Sequence, residues 1–497
     1  MRDRVLMSVV CALGAVLAGP ATPEAAGQNA AADRQSVVKI FSTVRAPSLF
    51  QPWTRPAAGE SSGSGVIIEG NRILTNAHVV NYARRILVQP NQSSDKYEAE
   101  VVAIAHGIDL AVLELDDESF FDEYPAAALS DELPTIGGTV TALGYPLGGE
   151  ALSITEGIVS RIEHTGYKGD TLGLRIQVDV ALNPGNSGGP VFRDGTVIGL
   201  VFSGIPSAEN IGYVIPTDEI QLFLNDVADG AYDGNPRFFG RLQTAENDAV
   251  RSKLGLSRDQ TGLIVSEGDD AGVLERWDVI DAIGPHDIDN RGMADVPGGA
   301  DLRLNFSYFI PKLAEASEGG TTVPMTVLRG GEAIELDVPV MASRDLLIKP
   351  LAGEQPSYLI YGPMAFTPAY QELMQQASRA ALVLASDDSP LIERLTDTVG
   401  EPGEQLVIVP APFFPHRLTK GYEVGVAPVL ESVNGTPIKN LAQLQDVLES
   451  IDDEYTEFVF AGSSNETLVF KTDELREATE EVLDDGGIRS ATSDDLR

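Results

Sequence analysis

Three short stretches of this 497-residue chain hold the residue types needed to break an acyl bond through a covalent intermediate. In Gly185-Asn186-Ser187-Gly188-Gly189-Pro190 a serine lies among glycines, which let the backbone take the positive-φ turn that aims N–H groups at a carbonyl oxygen. A serine hydroxyl is a weak nucleophile until a base takes its proton and an acid orients that base. Leu74-Thr75-Asn76-Ala77-His78-Val79-Val80 offers the base where an apolar run ends. Ala105-His106-Gly107-Ile108-Asp109-Leu110-Ala111 offers the acid where another begins. Ser187 is therefore the candidate nucleophile, His78 the base and Asp109 its orienting acid, with the N–H groups of Gly185 and Ser187 as oxyanion donors.

Taken singly, His78 reads as a barrel-core histidine and Asp109 as a turn residue opening a strand. Taken together, their order along the chain, His then Asp then Ser, is that of chymotrypsin-like double barrels and differs from those of α/β-hydrolases and subtilisins. His106 lacks the Thr-Asn-Ala lead-in and reads as loop, while His164, His286 and His416 stand apart, so neither a metal site nor a cofactor is expected.

The elements needed to hold these residues are legible as short β-type runs separated by Gly, Asn, Asp and Pro. They include Ser36–Phe41, Val66–Ile68, Ile86–Val88, Ala99–Ile104, Leu110–Leu115, Thr139–Leu143, Gly157–Ile162, Leu174–Val180, Val197–Phe202 and Gly212–Ile215. That spacing predicts paired β-barrels, closed by a helix over Thr217 to Val227. Ala46 to Gly63 reads as an irregular Pro- and Ser-rich loop.

The motifs TNAHVV, DLAVL and GNSGGP, in this order, resemble the Deg (HtrA) family of serine proteases. The resemblance implies a mainly β chain: a chymotrypsin-like double β-barrel protease domain over 34–230, a PDZ domain over 236–342, a divergent PDZ-like α+β domain over 343–473 and a short acidic tail over 474–497, which reads as a helix followed by polar residues. This arrangement resembles the plant-type branch. In the first PDZ-like unit, Phe238-Phe239-Gly240-Arg241-Leu242 is the loop expected to cap a peptide carboxylate beside a strand edge. Pro356 to Gly362 is its expected counterpart in the second. By the same resemblance Ile211–Pro216 pairs with the substrate backbone, and peptide binding and neighbours in a homo-oligomer, a trimer or a multiple of trimers, order the oxyanion loop.

Specificity is bounded by small residues. Six places before the serine, where trypsin-like enzymes carry a pocket-bottom acid, stands Ala181; with Leu182 and the Val201–Ile205 loop it predicts a small apolar pocket for Val, Ala, Ile or Leu before the cut bond. Asn186 occupies the place of the aspartate that pairs with a newly cut N-terminus in digestive enzymes, so activation by zymogen cleavage is not expected.

Bulk composition limits the partners. A net charge of −39, from 74 acidic and 35 basic residues, excludes nucleic acid as a partner, and the acids are dispersed as on a solvated surface. Met1 to Ala26 has the basic start, short apolar run and small-residue end of a secretory signal peptide, whose removal takes with it Cys11, the chain's single cysteine. The sequence thus predicts an exported, periplasmic or secreted, ATP-independent endoprotease acting on unfolded or damaged proteins and C-terminal peptides. A peptide-binding scaffold or holdase with secondary proteolysis, and a regulatory protease with one dedicated substrate, stay open at this point.

Overall fold

The computed structural model describes residues 33–497 apart from 148, 168–170, 205–211, 269–270, 300, 377–380, 424 and 464–465. The signal peptide, Ile205 and Ile211 fall outside the described residues.

The short β-type runs close into two barrels. Strands β1 (Val37–Val44), β2 (Gly59–Ile68), β3 (Arg72–Thr75), β4 (Ala83–Pro90), β5 (Tyr97–Ala105) and β6 (Leu110–Leu115) form the first, in the order β1-β2-β3-β6-β5-β4. Strands β7 (Thr139–Gly144), β8 (Ser153–Gly166), β9 (Leu172–Val178), β10 (Pro190–Arg193), β11 (Thr196–Gly204) and β12 (Gly212–Pro216) form the second, in the order β10-β11-β12-β9-β8-β7. Inward residues of the first barrel, Ile40, Ile67, Ile73 and Leu113 among them, make one core. Leu74 and Leu110 from the first barrel pack with Leu143, Leu200 and Ile215 from the second, so the barrels are joined by an apolar seam. The helix Thr217–Asp226 buries Ile220 and Phe223 into that seam.

The second barrel's interior continues into the next unit: Val159, Ile176 and Val214 belong to the same cluster as Leu263, Ile280, Phe309 and Val323. This unit is a sheet whose edge strand β13 (Arg241–Thr244) pairs on one side with Leu263–Glu267. Its helix Asp248–Leu254 starts because the Asn247 side chain accepts from Ala249 N and Val250 N. It stops at Gly255, which adopts φ 68°.

The C-terminal unit corrects two expectations. Leu359–Tyr361 forms a buried hairpin with Met364–Pro368, and the Gly362 N–H donates to Thr479 Oγ1 at 2.7 Å. Pro356 to Gly362 is thus part of a core and presents no open carboxylate loop. The acidic tail is a helix as expected, but it is no separate appendage: in Thr472–Gly486 Leu475, Ala478 and Val482 are buried, Leu475 and Val482 among residues of this hairpin, and Ser493 N donates to Tyr358 O. The spacing i, i+3, i+7 places these apolar residues on one face, and the acids take the other.

The loop ahead of β2 reaches across to this distant unit. Leu49 is buried among Leu347, Ile348 and Leu351, and the Trp53 ring lies 5.0 Å from that of Phe414 and 6.4 Å from that of Tyr358. Gly353 packs against the first barrel's rim, where a β-carbon would come within 2.9 Å of His106 Nε2 and 3.3 Å of Asn81 Oδ1.

Candidate active site

The short strand β3 ends at Thr75 and the chain turns at once into a one-turn helix, Ala77–Val80, whose second residue is His78. Asp109 fixes this helix from beneath. Its carbonyl accepts from Ala77 N at 3.1 Å and from Asn76 Nδ2 at 3.0 Å. Its carboxylate accepts the His78 N–H at 2.9 Å through Oδ1 and meets His78 Nδ1 at 2.5 Å through Oδ2. Asp109 is fully buried and stands at φ 62°, in the left-handed region that aspartate tolerates better than most residues. A buried carboxylate is costly without partners, and these two short bonds offset its desolvation. With Nδ1–H committed to Asp109, the imidazole keeps Nε2 as its acceptor, and the side chain is 40% exposed.

Ser187 stands on the opposite barrel in the second of two consecutive turns. Asn186 N donates to Asn183 O at 3.0 Å around Pro184-Gly185, and Gly189 N donates to Asn186 O at 3.0 Å around Ser187-Gly188. Gly185 has φ 99° and Gly188 φ 83°, so in both turns the third residue takes the positive φ of a type II turn. The Pro184 carbonyl accepts from Leu147 N at 2.7 Å. Because a trans peptide points its C=O and N–H in opposite directions, this bond turns the Gly185 N–H away from Leu147. The Gly189 bond does the same for the Ser187 N–H. Among the described residues neither of these two N–H groups donates to a backbone carbonyl.

The two halves meet through small residues. Ser64 on β2 donates its N–H to Ser187 O at 2.9 Å, and its hydroxyl donates to Gly185 O while accepting from Tyr145 N, both at 2.8 Å. Thr75 Oγ1 donates to Ser64 O at 2.7 Å. A β-carbon on Gly188 would collide with Ser64 O and Thr75 Oγ1 and sit 3.1 Å from Asn76 N. The serine turn therefore backs onto the segment that leads into His78. Sequence reasoning missed Ser64 and Leu147. The Ser-Gly alternation of Ser61-Ser62-Gly63-Ser64-Gly65 was the available signal, since small residues in a strand mark close backbone approach.

The expected pocket residues divide. Ala181 is exposed, and Leu182 is half-buried on the second-barrel core, where a β-carbon on Gly212 would meet its side chain. Val201 is 2% exposed and acts through its backbone, whose N–H donates to Gly189 O and whose carbonyl accepts from Gly188 N. The Phe238–Leu242 stretch lies in the next unit. Phe238 and Phe239 border a cavity of about 630 Å³, Arg241 and Leu242 begin the edge strand β13, and Gly240 is filled over by the Phe238 ring. Across that cavity stands Glu219, 4% exposed, which accepts from Leu174 N at 2.6 Å and Asn235 Nδ2 at 3.2 Å. Burial pushes its carboxyl up to about 7, and burial lowers His164, beside the same cavity, to about 4. Among the described residues no group of three His, Cys, Asp or Glu is placed to hold a metal ion.

Residues 63–200 match the family of trypsin-like peptidase domains, and residues 349–495 match the PDZ domain family. With the two closed barrels, the matches define the chain as a serine endopeptidase carrying PDZ architecture. It belongs to the Deg (HtrA) family. It is 35% identical to Protease Do-like 4, mitochondrial, of Arabidopsis thaliana over 93% of this chain and 85% of that one. It is 34% identical to Protease Do-like 2, chloroplastic, of the same plant over 93% and 75%. Among solved structures, the HtrA-type protease AlgW with tripeptide aligns over 63% of this chain and 96% of that one, at 25% identity and a TM-score of 0.48. The match over 349–495 takes in the hairpin and the terminal helix, which supports treating the C-terminal unit as one domain with its tail.

Proposed function

We propose that the chain is an exported, ATP-independent protease that degrades unfolded or damaged proteins, with His78, Asp109 and Ser187 as its catalytic residues. The observation that supports the assignment is the Asp109–His78 pair on a segment against which the serine turn packs at Gly188, with neither the Gly185 nor the Ser187 N–H donating to a backbone carbonyl among the described residues. Ser187 Oγ attacks the scissile carbonyl and gives its proton to His78 Nε2, while Asp109 holds the ring in the one tautomer able to receive it. Charge moves to the carbonyl oxygen, which the N–H groups of Gly185 and Ser187 stabilise. His78 then protonates the leaving amine, and water repeats the sequence on the acyl-enzyme. Ala181 and Leu182 support cutting after small or medium aliphatic residues. The edge strand β13 and the Phe238–Leu242 loop support capture of peptide C-termini, and we extend the reading to a homo-oligomer assembled through its protease domains.

Incubation of the purified chain with β-casein tests this, with Ser187→Ala as the control and a tightly folded protein as the competing substrate. The proposal expects rapid loss of casein, slow loss of the folded protein and none in the variant, with cuts after Val, Ala, Ile or Leu. Equal rates on folded and unfolded substrates would sink the quality-control reading, and a preference for Arg would sink the pocket assignment.

A further inference from the structure

The cavity bordered by Phe238 and Phe239 is built by more than the first PDZ-like unit. The protease domain closes one side with Glu219 and Leu172, and the C-terminal unit closes another with Arg344, Leu346 and Met374. At about 630 Å³ it has the size of a small-ligand site.

Its cationic end has a specific origin. Arg237 and Met341 exchange two backbone hydrogen bonds, of 2.9 and 3.1 Å, so the strand entering the first PDZ-like unit lies beside the strand leaving it. This bridge puts Arg237 and Arg344 on the same Phe239 ring, at 4.9 and 5.8 Å from its centre. Arg344 forms no ion pair among the described residues, in a chain with more than twice as many acids as bases. Glu219, which borders the same cavity, accepts from Leu174 N–H and Asn235 Nδ2. A planar guanidinium held against an aromatic face is well suited to a carboxylate. The edge strand β13 leaves this point with one side unpaired in the sheet, so an extended chain laid along it would deliver its terminus to the cavity.

We infer that this cavity is a composite site for the free carboxylate and last apolar side chain of a peptide, with Arg344, supplied from beyond the first PDZ-like unit, as the carboxylate's charge partner. The inference rests on the proposed capture of C-termini by the Phe238–Leu242 loop. The apolar side chain would lie among Phe238, Leu346 and Met374. The C-terminal unit is then part of the first unit's ligand site and not a separate module in series.

The test uses the full chain with Ser187→Ala to prevent cutting, and a fluorescein-labelled hexapeptide ending in Val, as the free acid and as the C-terminal amide. Fluorescence anisotropy should show the acid binding the parent about tenfold or more tightly than the amide. Adding Arg344→Gln should weaken the acid about tenfold and leave the amide unchanged, while Arg344→Lys recovers part of the difference. An unchanged acid-to-amide ratio in Arg344→Gln, with the acid still bound, overturns the composite site and leaves the loop reading intact. Failure of the parent to bind either peptide overturns both. Matching circular dichroism of the variants separates loss of recognition from loss of fold.

Discussion

The two barrels share one cyclic strand order and contribute to the site in opposite currencies. The first supplies side chains: His78 at the start of a single helical turn and Asp109 buried beneath it, joined by hydrogen bonds of 2.5 and 2.9 Å. The second supplies backbone: two type II turns whose peptide planes are set by Leu147 N and Gly189 N, with glycine wherever φ is positive. The difference teaches that equivalent scaffolds fail in different ways. The first half is broken by changing a polar atom, whereas in the second a single methyl group is enough, because Gly185 and Gly188 are surrounded at contact distance.

Four measurements sharpen or break that contrast. Ser187→Ala is expected to lower kcat by about 10⁶-fold with an unchanged far-ultraviolet spectrum, and peptide hydrolysis under saturating substrate reads it directly. Asp109→Asn, a change of one atom in the first barrel, is expected to cost about 10⁴-fold in kcat with the fold intact, since an amide cannot hold His78 in the required tautomer. Near-normal turnover in that variant would remove the side-chain half of the contrast. Gly185→Ala should displace the loop from Tyr145 O and Leu147 N, which a β-carbon would approach to 2.5 and 2.6 Å. The expected loss of one oxyanion donor lowers kcat by about 10²–10³-fold with little change in KM. If KM rises instead and kcat holds, the turn shapes the pocket and not the oxyanion site.

The smallest effect concerns the buried acid of the helix Thr217–Asp226, which packs into the seam between the barrels. Glu219 is raised from the ordinary glutamate value to about 7 by burial, with Asp218 adding to the shift and Lys312, the Leu174 N–H and Asn235 opposing it. A folded-state value above the unfolded one means that the folded protein holds the extra proton, so stability falls as pH climbs from about 4.5 through about 7. Glu219→Gln removes that slope. Its melting temperature relative to wild type should rise between pH 5 and pH 8, by the equivalent of about 3 kcal/mol at most. A gap that stays constant with pH would show that Glu219 does not titrate in this window.

The candidate site was legible because its chemistry demands particular residue types in a fixed order, and three local motifs carry that order through any amount of intervening chain. The strands that carry them were less visible. Arg72–Thr75 leads into His78 and Pro190–Arg193 leads out of Ser187, and neither was recognised, because four residues hold too few alternations to separate a strand from a loop. Pro356–Gly362 was misread for the opposite reason: its Tyr, Leu and Gly mimic a ligand loop, and only tertiary contact with Thr479 and Leu475 distinguishes a hairpin core. The terminal helix was visible as a helix. Its attachment was hidden by Asp and Glu residues that surround Leu475, Ala478 and Val482 without touching the buried face.

Leu49 and Trp53 lie in a stretch of chain that forms no barrel strand; Leu49 is buried in, and Trp53 packs against, a unit that begins some three hundred residues later. In terms of chain exchange, the loop and the C-terminal unit form one block of packing. A chimera that took its last unit from a relative and kept this chain's residues 46–58 would leave an indole and an isobutyl group facing a surface shaped for other side chains. The two segments are therefore best exchanged together, although nearly three hundred residues separate them.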